Sequence, residues 1–213
     1  METTVTVQSI DSVGPDTIAM AFETPEAFEA APGQFVKLTG VVDGETYSRF
    51  YTLSSPDVEG TFEVTIGIDP EESGPFSEWL VDRSAGDELE LAGPFGKQFY
   101  DGEPRAVVLA GGPGIGPAVG IGERAIAEGN EVAIVYVDET PAHDARLAAI
   151  DEADDGSVHV TVDGLNEAVE DVLTGAPGEK VFVYGFSGFV EEAIAAIEAA
   201  GGDPGEAKIE DFG

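Results

Sequence analysis

A glycine-rich turn in the second half of the chain is the sharpest chemical signal in the sequence. It reads Gly111-Gly112-Pro113-Gly114-Ile115-Gly116-Pro117 and directly follows an apolar run. Glycines let a bulky ligand approach the backbone, and Pro117 suits the first position of a helix. The amides and positive dipole end of that helix attract an anion, and a dinucleotide pyrophosphate fits. A simple strand-to-helix turn is the alternative, although it does not need four glycines.

Two further stretches in the first half combine groups that bind phosphates and planar rings. In Ser48-Arg49-Phe50-Tyr51-Thr52-Leu53-Ser54-Ser55, strand alternation places Arg49, Tyr51 and Leu53 on one face. A cation beside a stacking aromatic and a hydroxyl suits a phosphate linked to a flat ring. Gly74-Pro75-Phe76-Ser77 opens a short predicted helix and offers another N-terminus. An ordinary structural strand, and ordinary N-capping by Ser77, are the alternatives.

Charge excludes several classes of partner. The chain has 213 residues with 9 Lys and Arg against 43 Asp and Glu, a formal net charge of −34. Nucleic acids and anionic membranes need clustered cations, so neither is an expected partner. The acids are scattered between apolar runs, which favours a folded chain over a disordered one. So few cations indicate a salt-rich cytoplasm and a halophilic source, with an ordinary acidic protein as the alternative.

The residue inventory also limits the chemistry. There is no cysteine, which excludes disulfides, thiolate metal sites and a cysteine nucleophile. The two histidines, His143 and His159, lack flanking ligand patterns, so we expect surface or strand residues and no metal site. No apolar stretch reaches the roughly 18 residues of a membrane span, and no signal-like N-terminus is present. We therefore expect a cytoplasmic protein without membrane insertion.

Short strands separated by turn residues dominate the first half of the chain. The predicted strands are Thr4–Ile10, Thr17–Phe22, Gln34–Leu38, Tyr47–Ser54, Thr61–Ile68 and Glu88–Leu91. One helical segment, Pro75–Val81, interrupts them. This spacing predicts a six-stranded antiparallel Greek-key β-barrel.

Apolar strands alternate with helices in the second half. The predicted strands are Ala106–Ala110, Glu131–Val137, Val158–Val162, Val181–Tyr184 and Ala207–Glu210. The predicted helices are Pro117–Glu128, Ala142–Ala153, Glu167–Leu173 and Val190–Ala199. This alternation predicts a doubly wound, Rossmann-like α/β domain with a parallel sheet. The glycine- and proline-rich stretch Gly93–Pro104 separates the halves, and we divide the chain into domains 1–100 and 101–213.

Taken together and in this order, the motifs resemble the ferredoxin–NADP reductase superfamily, which joins a flavin-binding barrel to a pyridine-nucleotide domain. The matching segments begin with Pro32-Gly33-Gln34-Phe35, Arg49-Phe50-Tyr51-Thr52 (R-x-Y-[ST]) and Gly74-Pro75-Phe76-Ser77 (G-x-x-S). They continue with Gly93-Pro94-Phe95-Gly96 (G-P-x-G), Gly111–Pro117 and Glu210-Asp211-Phe212 (E-x-[YF]). Tyr184-Gly185-Phe186 stands where many members have Cys-Gly, with the Cys near the nicotinamide.

The resemblance implies roles for these residues. Arg49 would hold the flavin phosphates, Tyr51 would stack on the ring, Thr52 would lie near its N5 atom, and Phe212 would cover its face. The predicted catalytic residues are Tyr51, Thr52, Tyr184, Glu210 and Phe212. The predicted cofactor-binding residues are Arg49, Phe50, Tyr51, Thr52, Ile66, Gly67, Ile68, Gly74, Phe76, Ser77, Gly111, Gly112, Gly114, Ile115, Gly116, Pro117, Asp138, Gly185 and Phe186.

The resemblance predicts a reductase that moves hydride from NADH or NADPH to flavin and then electrons to a separate acceptor. The cofactor is expected to be FAD, with FMN as the less favoured flavin. A ferredoxin, a haem protein or another Fe–S protein is the expected acceptor, and the oligomeric state is open. A non-catalytic flavin- or nucleotide-binding subunit of a larger electron-transfer complex is the alternative. Asp138 and Glu139, at the end of the second parallel strand, favour NADH because carboxylates repel the extra phosphate of NADPH.

The charge itself generates a prediction about stability. We expect thermal unfolding to be broad in dilute buffer and cooperative in potassium chloride. Raising the salt from about 0.1 M to about 1 M shortens the Debye length from about 10 Å to about 3 Å and screens the repulsion. Melting curves recorded by circular dichroism over this range test it, and curves that do not change with salt would contradict it.

Overall fold

The N-terminal half forms a single antiparallel sheet in the computed structural model, which describes residues 1–68 and 74–213. Its strands are β1 (Glu2–Gly14), β2 (Thr17–Glu23), β3 (Phe35–Val42), β4 (Glu45–Thr52), β5 (Thr61–Gly67) and β6 (Glu88–Phe95). They lie in the order β4-β3-β6-β1-β2-β5. Alternate residues such as Val36, Leu38, Phe62 and Val64 are fully buried, which forms the core of this sheet.

The sheet is barrel-like but not closed, and this refines the barrel prediction. Among the described residues its two edge strands are joined by one isolated bridge, Leu53 to Val64. The short helix α1 (Pro75–Val81) contributes Phe76 and Leu80 to the core of the sheet. The ring of Trp79 reaches Gly40 in β3, where a Cβ would stand 2.6 Å from it.

The C-terminal half alternates strands and helices, as predicted. Its elements are β7 (Arg105–Gly111), α2 (Ile115–Ala127), β8 (Glu131–Val137), α3 (Asp144–Asp151), β9 (Gly156–Thr161), α4 (Leu165–Val172), β10 (Glu179–Gly185), α5 (Ser187–Ala199) and β11 (Lys208–Asp211). The strands are parallel in the order β11-β10-β7-β8-β9.

Both faces of the parallel sheet are covered, which makes the fold doubly wound. Ala106, Val108 and Ala110 of β7 pack on the side of α2 and α3. Val107 and Leu109 pack on the side of α4 and α5. Because successive strand residues point to opposite faces, a strand buried on both sides is apolar at every position. That is the pattern from which the strand was predicted.

Element ends differ from the predictions where contacts distant in sequence decide them. Helix α2 begins at Ile115 instead of Pro117, because a 3-10 turn over Gly112–Gly114 leads straight into it. Helix α3 is shorter than the predicted Ala142–Ala153, because His143 has a left-handed φ of 60° and donates its amide to Val13 O at 2.8 Å. The domain division at residue 100 stays a prediction.

In the part of the chain that the structure describes, no helix combines the length and the apolar composition that crossing a bilayer requires.

Candidate functional site

A cleft of about 580 Å³ lies between the β4 edge of the first sheet and the carboxyl ends of the parallel strands. Ligands of open α/β sheets bind at that end of the strands. The cleft brings together predicted site residues from both halves of the chain: Arg49, Phe50, Tyr51, Thr52, Ile66, Gly67, Ser77, Pro117, Phe186, Glu210 and Phe212.

Five further residues line the cleft that were not selected from the sequence: Phe35, Ser48, Thr65, Pro113 and Asp211. Phe35, Ser48, Pro113 and Asp211 lie inside the motifs quoted from the sequence and carried a usable signal. Phe35 reaches the cleft because β3 pairs with β4 in a register that sets Phe35 opposite Thr52. That register is a tertiary property, so the motif that ends at Phe35 does not by itself show that Phe35 lies opposite Thr52.

Strand β4 carries the polar groups of the cleft. Arg49 and Tyr51 pair with the buried residues Leu38 and Val36 of β3, so they share one face, as alternation predicted. Arg49 is exposed and makes no salt bridge within residues 1–68 and 74–213. Its Nη2 atom lies 2.7 Å from where a Cβ on Gly74 would stand. Gly74 therefore makes room for the guanidinium at the start of α1.

The hydroxyl of Tyr51 is buried and has no hydrogen-bond partner among the described residues. Burial raises the pKa of Tyr51 to about 12, against smaller opposing effects of Ser77 and the Arg49 charge. Ser77 is itself buried and lines the same cleft. Buried polar groups are normally paired, so a buried donor and a cation that both lack partners in the described part of the chain suit a ligand that brings acceptor oxygens.

The glycine-rich turn is explained largely by packing inside the protein. A side chain on Gly111 would meet the ring of Phe189, and one on Gly114 would meet the Tyr184 carbonyl. A Cβ on Gly116 would stand 2.8 Å from Thr65. Gly112 faces open space and has a left-handed φ of 52°. Three of the four glycines therefore make room for the protein's own atoms, and a role of the turn in ligand approach stays a prediction.

The C-terminal tail contributes Glu210, Asp211 and Phe212 to the lining of the cleft. Strand β11 pairs with β10, and Phe212 N donates to Gly185 O at 2.9 Å. The ring of Phe212 meets that of Phe186 edge to face, with 6.1 Å between centroids. Glu210 is half-buried, and burial raises the pKa of its carboxyl group.

The other predicted site residues do not line the cleft: Ile68, Gly74, Phe76, Gly111, Gly112, Gly114, Ile115, Gly116, Asp138, Tyr184 and Gly185. Phe76 and Ile115 are fully buried in the cores. Tyr184 is also fully buried, and its hydroxyl donates to Gln98 O at 2.8 Å. The structure thus gives Tyr184 a packing position between the two halves, away from the cleft wall. The Asp138 carboxylate accepts from Tyr136 Oη at 3.0 Å and from Thr140 N at 2.8 Å.

The histidine prediction is confirmed for one residue and wrong for the other. His159 is an exposed residue of β9. His143 is buried, because its Nε2 meets Thr65 Oγ1 of the first sheet at 2.9 Å. Burial and the Arg146 charge lower the pKa of His143 to about 4, so its ring is neutral at pH 7. The expectation of a surface or strand histidine failed because the partner is 78 residues away in the chain.

Comparison with known proteins agrees with this arrangement. Residues 4–100 match the family model described as an oxidoreductase FAD-binding domain. NADH-cytochrome b5 reductase 1 of Eremothecium gossypii is 33% identical over 132 residues, covering 55% of this chain and 45% of that protein. The glycine betaine monooxygenase reductase subunit of Pseudomonas aeruginosa is 35% identical over 134 residues, covering 61% of this chain and 35% of that protein. The chain thus spans less than half the length of these relatives.

Solved structures share the fold over the whole chain. The cytochrome b5 reductase domain of Ulva prolifera nitrate reductase superposes with a TM-score of 0.84 at 20% identity, covering 99% of this chain and 97% of that one. A flavohemoglobin from Malassezia yamatoensis with bound FAD and haem gives 0.80 at 21% identity, covering 100% and 60%. At these identities the likeness is one of fold.

The unpaired hydroxyl of Tyr51 generates a prediction for the ligand-free chain. We expect Tyr51→Phe to raise its free energy of unfolding by about 1 kcal/mol, because a buried hydroxyl without a partner costs desolvation energy. The matched control is Tyr184→Phe, which removes a hydroxyl that does have a partner and is expected to lower stability. Denaturant titration of both variants tests this. A loss of stability in Tyr51→Phe as large as in the control would contradict it.

Proposed function

We propose that the protein is an FAD-containing reductase that takes hydride from NADH and supplies electrons to a separate redox protein. Residues 4–100 match the family model of an oxidoreductase FAD-binding domain, and the whole chain shares the fold of a cytochrome b5 reductase domain. The observation that carries this proposal lies on the edge strand β4, within residues 1–68 and 74–213. There the exposed Arg49 makes no salt bridge, and the buried hydroxyl of Tyr51 has no hydrogen-bond partner. The aromatic ring of Phe212 in the C-terminal tail lines the same cleft.

The residues of the cleft fit the parts of a flavin nucleotide. Arg49 provides a charge-assisted contact for phosphate oxygens, and Tyr51 provides an aromatic surface together with a donor that needs an acceptor. Thr52 is almost buried and brings its hydroxyl to the same wall. A volume of about 580 Å³ is within the range of small-molecule sites. When bound, the flavin supplies the chemistry that accepts a hydride and releases electrons singly.

We infer that Phe212 of the tail and Phe186, the residue before α5, control access to the cleft. Phe212 and Phe186 line it edge to face, and Phe186 is 50% exposed. We infer that Phe212 covers the ring that Tyr51 supports from the opposite side. Phe212 would have to move aside for a nicotinamide to reach that ring. Glu210, two residues before Phe212, is half-buried. Burial raises the pKa of its carboxyl group, so Glu210 holds a proton more readily than a solvent-exposed carboxylate does.

The carboxyl end of β8 favours NADH over NADPH. Asp138 and the exposed Glu139 place negative charge where the adenosine ribose of the coenzyme would lie. The nearby Arg146 is not free to offset it, because it binds Glu123 at 2.7 Å and Glu63 at 2.9 Å. A second phosphate on the ribose would therefore meet carboxylates without a cation.

The acceptor is proposed by likeness to the relatives. Their names describe a cytochrome b5 reductase and the reductase subunit of a monooxygenase. We propose an acceptor of the same general kind, a separate protein with a haem or Fe–S centre, such as a ferredoxin. Because reduced flavin can release its electrons one at a time, such a one-electron acceptor is chemically suitable.

Removal of the Arg49 charge tests the flavin site. We expect Arg49→Ala to weaken FAD binding by about tenfold to a hundredfold, the effect of losing one or two charge-assisted hydrogen bonds. Lys180→Ala is the matched control, since Lys180 is also a cation but lies away from the cleft. Fluorescence titration of the ligand-free proteins with FAD measures both constants. An Arg49→Ala variant that binds FAD like the parent would overturn the assignment.

Coenzyme choice is tested by kinetics in molar potassium chloride. We expect kcat/KM for NADH to exceed that for NADPH by at least about tenfold, because NADPH adds a phosphate dianion to an acidic site. Anaerobic mixing with NADH should also bleach the flavin absorbance. A clear advantage for NADPH would contradict the coenzyme assignment, whereas no bleaching by either coenzyme would favour the non-catalytic subunit.

A further inference from the structure

His143 lies outside the cleft, yet the structure connects it to the cleft wall. It is the residue before α3, it is 4% exposed, and its backbone has the left-handed φ of 60°. Non-glycine residues adopt this conformation only when the surroundings require it. Here its amide donates to Val13 O of β1, and its carbonyl accepts from the amides of Arg146 and Leu147 in α3. The strained residue is thus held from both halves of the molecule.

The side chain of His143 ends on a residue of the cleft. Its Nε2 lies 2.9 Å from Thr65 Oγ1, and both groups are buried. Thr65 lines the cleft beside Ile66 and Gly67 at the end of β5. A threonine hydroxyl has one proton and two lone pairs. Whichever atom donates, the hydrogen bond with His143 uses either the proton or one lone pair of the Thr65 hydroxyl. It thereby fixes the directions of the remaining donor and acceptor positions.

Arg146 makes the same connection one turn further along α3. It donates to Glu63 Oε1 at 2.9 Å and to Ser54 O at 2.7 Å, and it also binds Glu123 of α2. His143 and Arg146 are three residues apart at the start of a helix, whereas Thr65 and Glu63 are two apart on a strand. Both spacings bring the two side chains to one face, roughly 5–7 Å apart. The start of α3 therefore contacts β5 through two side-chain pairs, His143 with Thr65 and Arg146 with Glu63.

We propose that His143 is a positioning residue of the flavin site, acting through the Thr65 hydroxyl to fix the cleft wall formed by the end of β5. The inference rests on the proposed function, because it is the FAD that this wall would contact. Gly116 also confines the Thr65 side chain, since a Cβ at Gly116 would stand 2.8 Å from Thr65 Oγ1. The Thr65 side chain is thus enclosed by the glycine-rich loop and His143, with little freedom to turn. His143 itself touches no reacting group.

The test compares three substitutions in the full chain loaded with FAD. His143→Asn retains a residue that tolerates the left-handed φ but is too short to reach Thr65. Thr65→Val removes the hydroxyl with almost no change of shape. The third variant carries both substitutions. His159→Asn is the control, because His159 is exposed on β9 and lies away from the cleft.

Two readouts separate positioning from general stability: the dissociation constant of FAD and the visible circular dichroism of the bound flavin. We expect His143→Asn and Thr65→Val each to weaken FAD binding about threefold to tenfold, the effect of one neutral hydrogen bond, and to alter the dichroism in the same way. The double variant should be no worse than either single one, since both remove one interaction. The control should match the parent.

The outcomes distinguish this inference from the proposed function. A parent that binds no FAD would overturn both. A parent that binds FAD, with His143→Asn and Thr65→Val retaining its affinity and dichroism, would overturn only the role of His143. Additive losses in the double variant would also overturn it, because they would show that the two residues act independently. If His143→Asn does not fold, Thr65→Val alone decides by the same two readouts.

Discussion

The close contact of α2 with the first sheet is the constraint on which the cleft depends. A Cβ on Gly116 would stand 2.8 Å from Thr65, and one on Gly120 would stand 3.0 Å from the backbone of Ser54. Real Cβ atoms essentially never come closer than 3.0 Å to such a neighbour and seldom come as close as 3.0 Å, so glycine at these two positions lets the helix lie against β5 and against Ser54, two residues beyond β4. This contact brings the carboxyl ends of the parallel strands to the β4 edge, and the cleft is the space left between them.

Two of the few cations, Arg105 and Arg146, form ion pairs that connect different elements of the fold. Arg105 ties β7 to its neighbours through Glu131 and Glu179. Arg146 joins α3 to β5 and α2. Exposed ion pairs contribute little stability, about 0–1 kcal/mol each, but a partly buried arginine with several partners also fixes geometry. Arg49, by contrast, lies exposed at the cleft without a described salt bridge. In a chain so poor in cations, that contrast agrees with the binding role that we propose for Arg49.

The glycines show how one motif can serve two purposes. Read along the chain, Gly111–Pro117 suggests ligand approach, and its position at the carboxyl end of β7 agrees with that. In three dimensions Gly111, Gly114 and Gly116 admit Phe189, Tyr184 and Thr65. The loop is therefore tight because the protein packs against it on three sides, and its two prolines, Pro113 and Pro117, are the residues that face the cleft.

Local patterns were sufficient for the class of fold and the order of the elements, and the family resemblance of the motifs supplied most of the cleft residues on β4 and the tail. Periodicity and turn chemistry act between near neighbours, so runs such as Glu131–Val137 can be interpreted without knowing their partners. The open barrel, the packing position of Tyr184 and the burial of His143 could not be obtained this way. Each depends on contacts between segments far apart in the chain, such as the 78 residues between Thr65 and His143. Those contacts exist only once both sheets have formed and packed together.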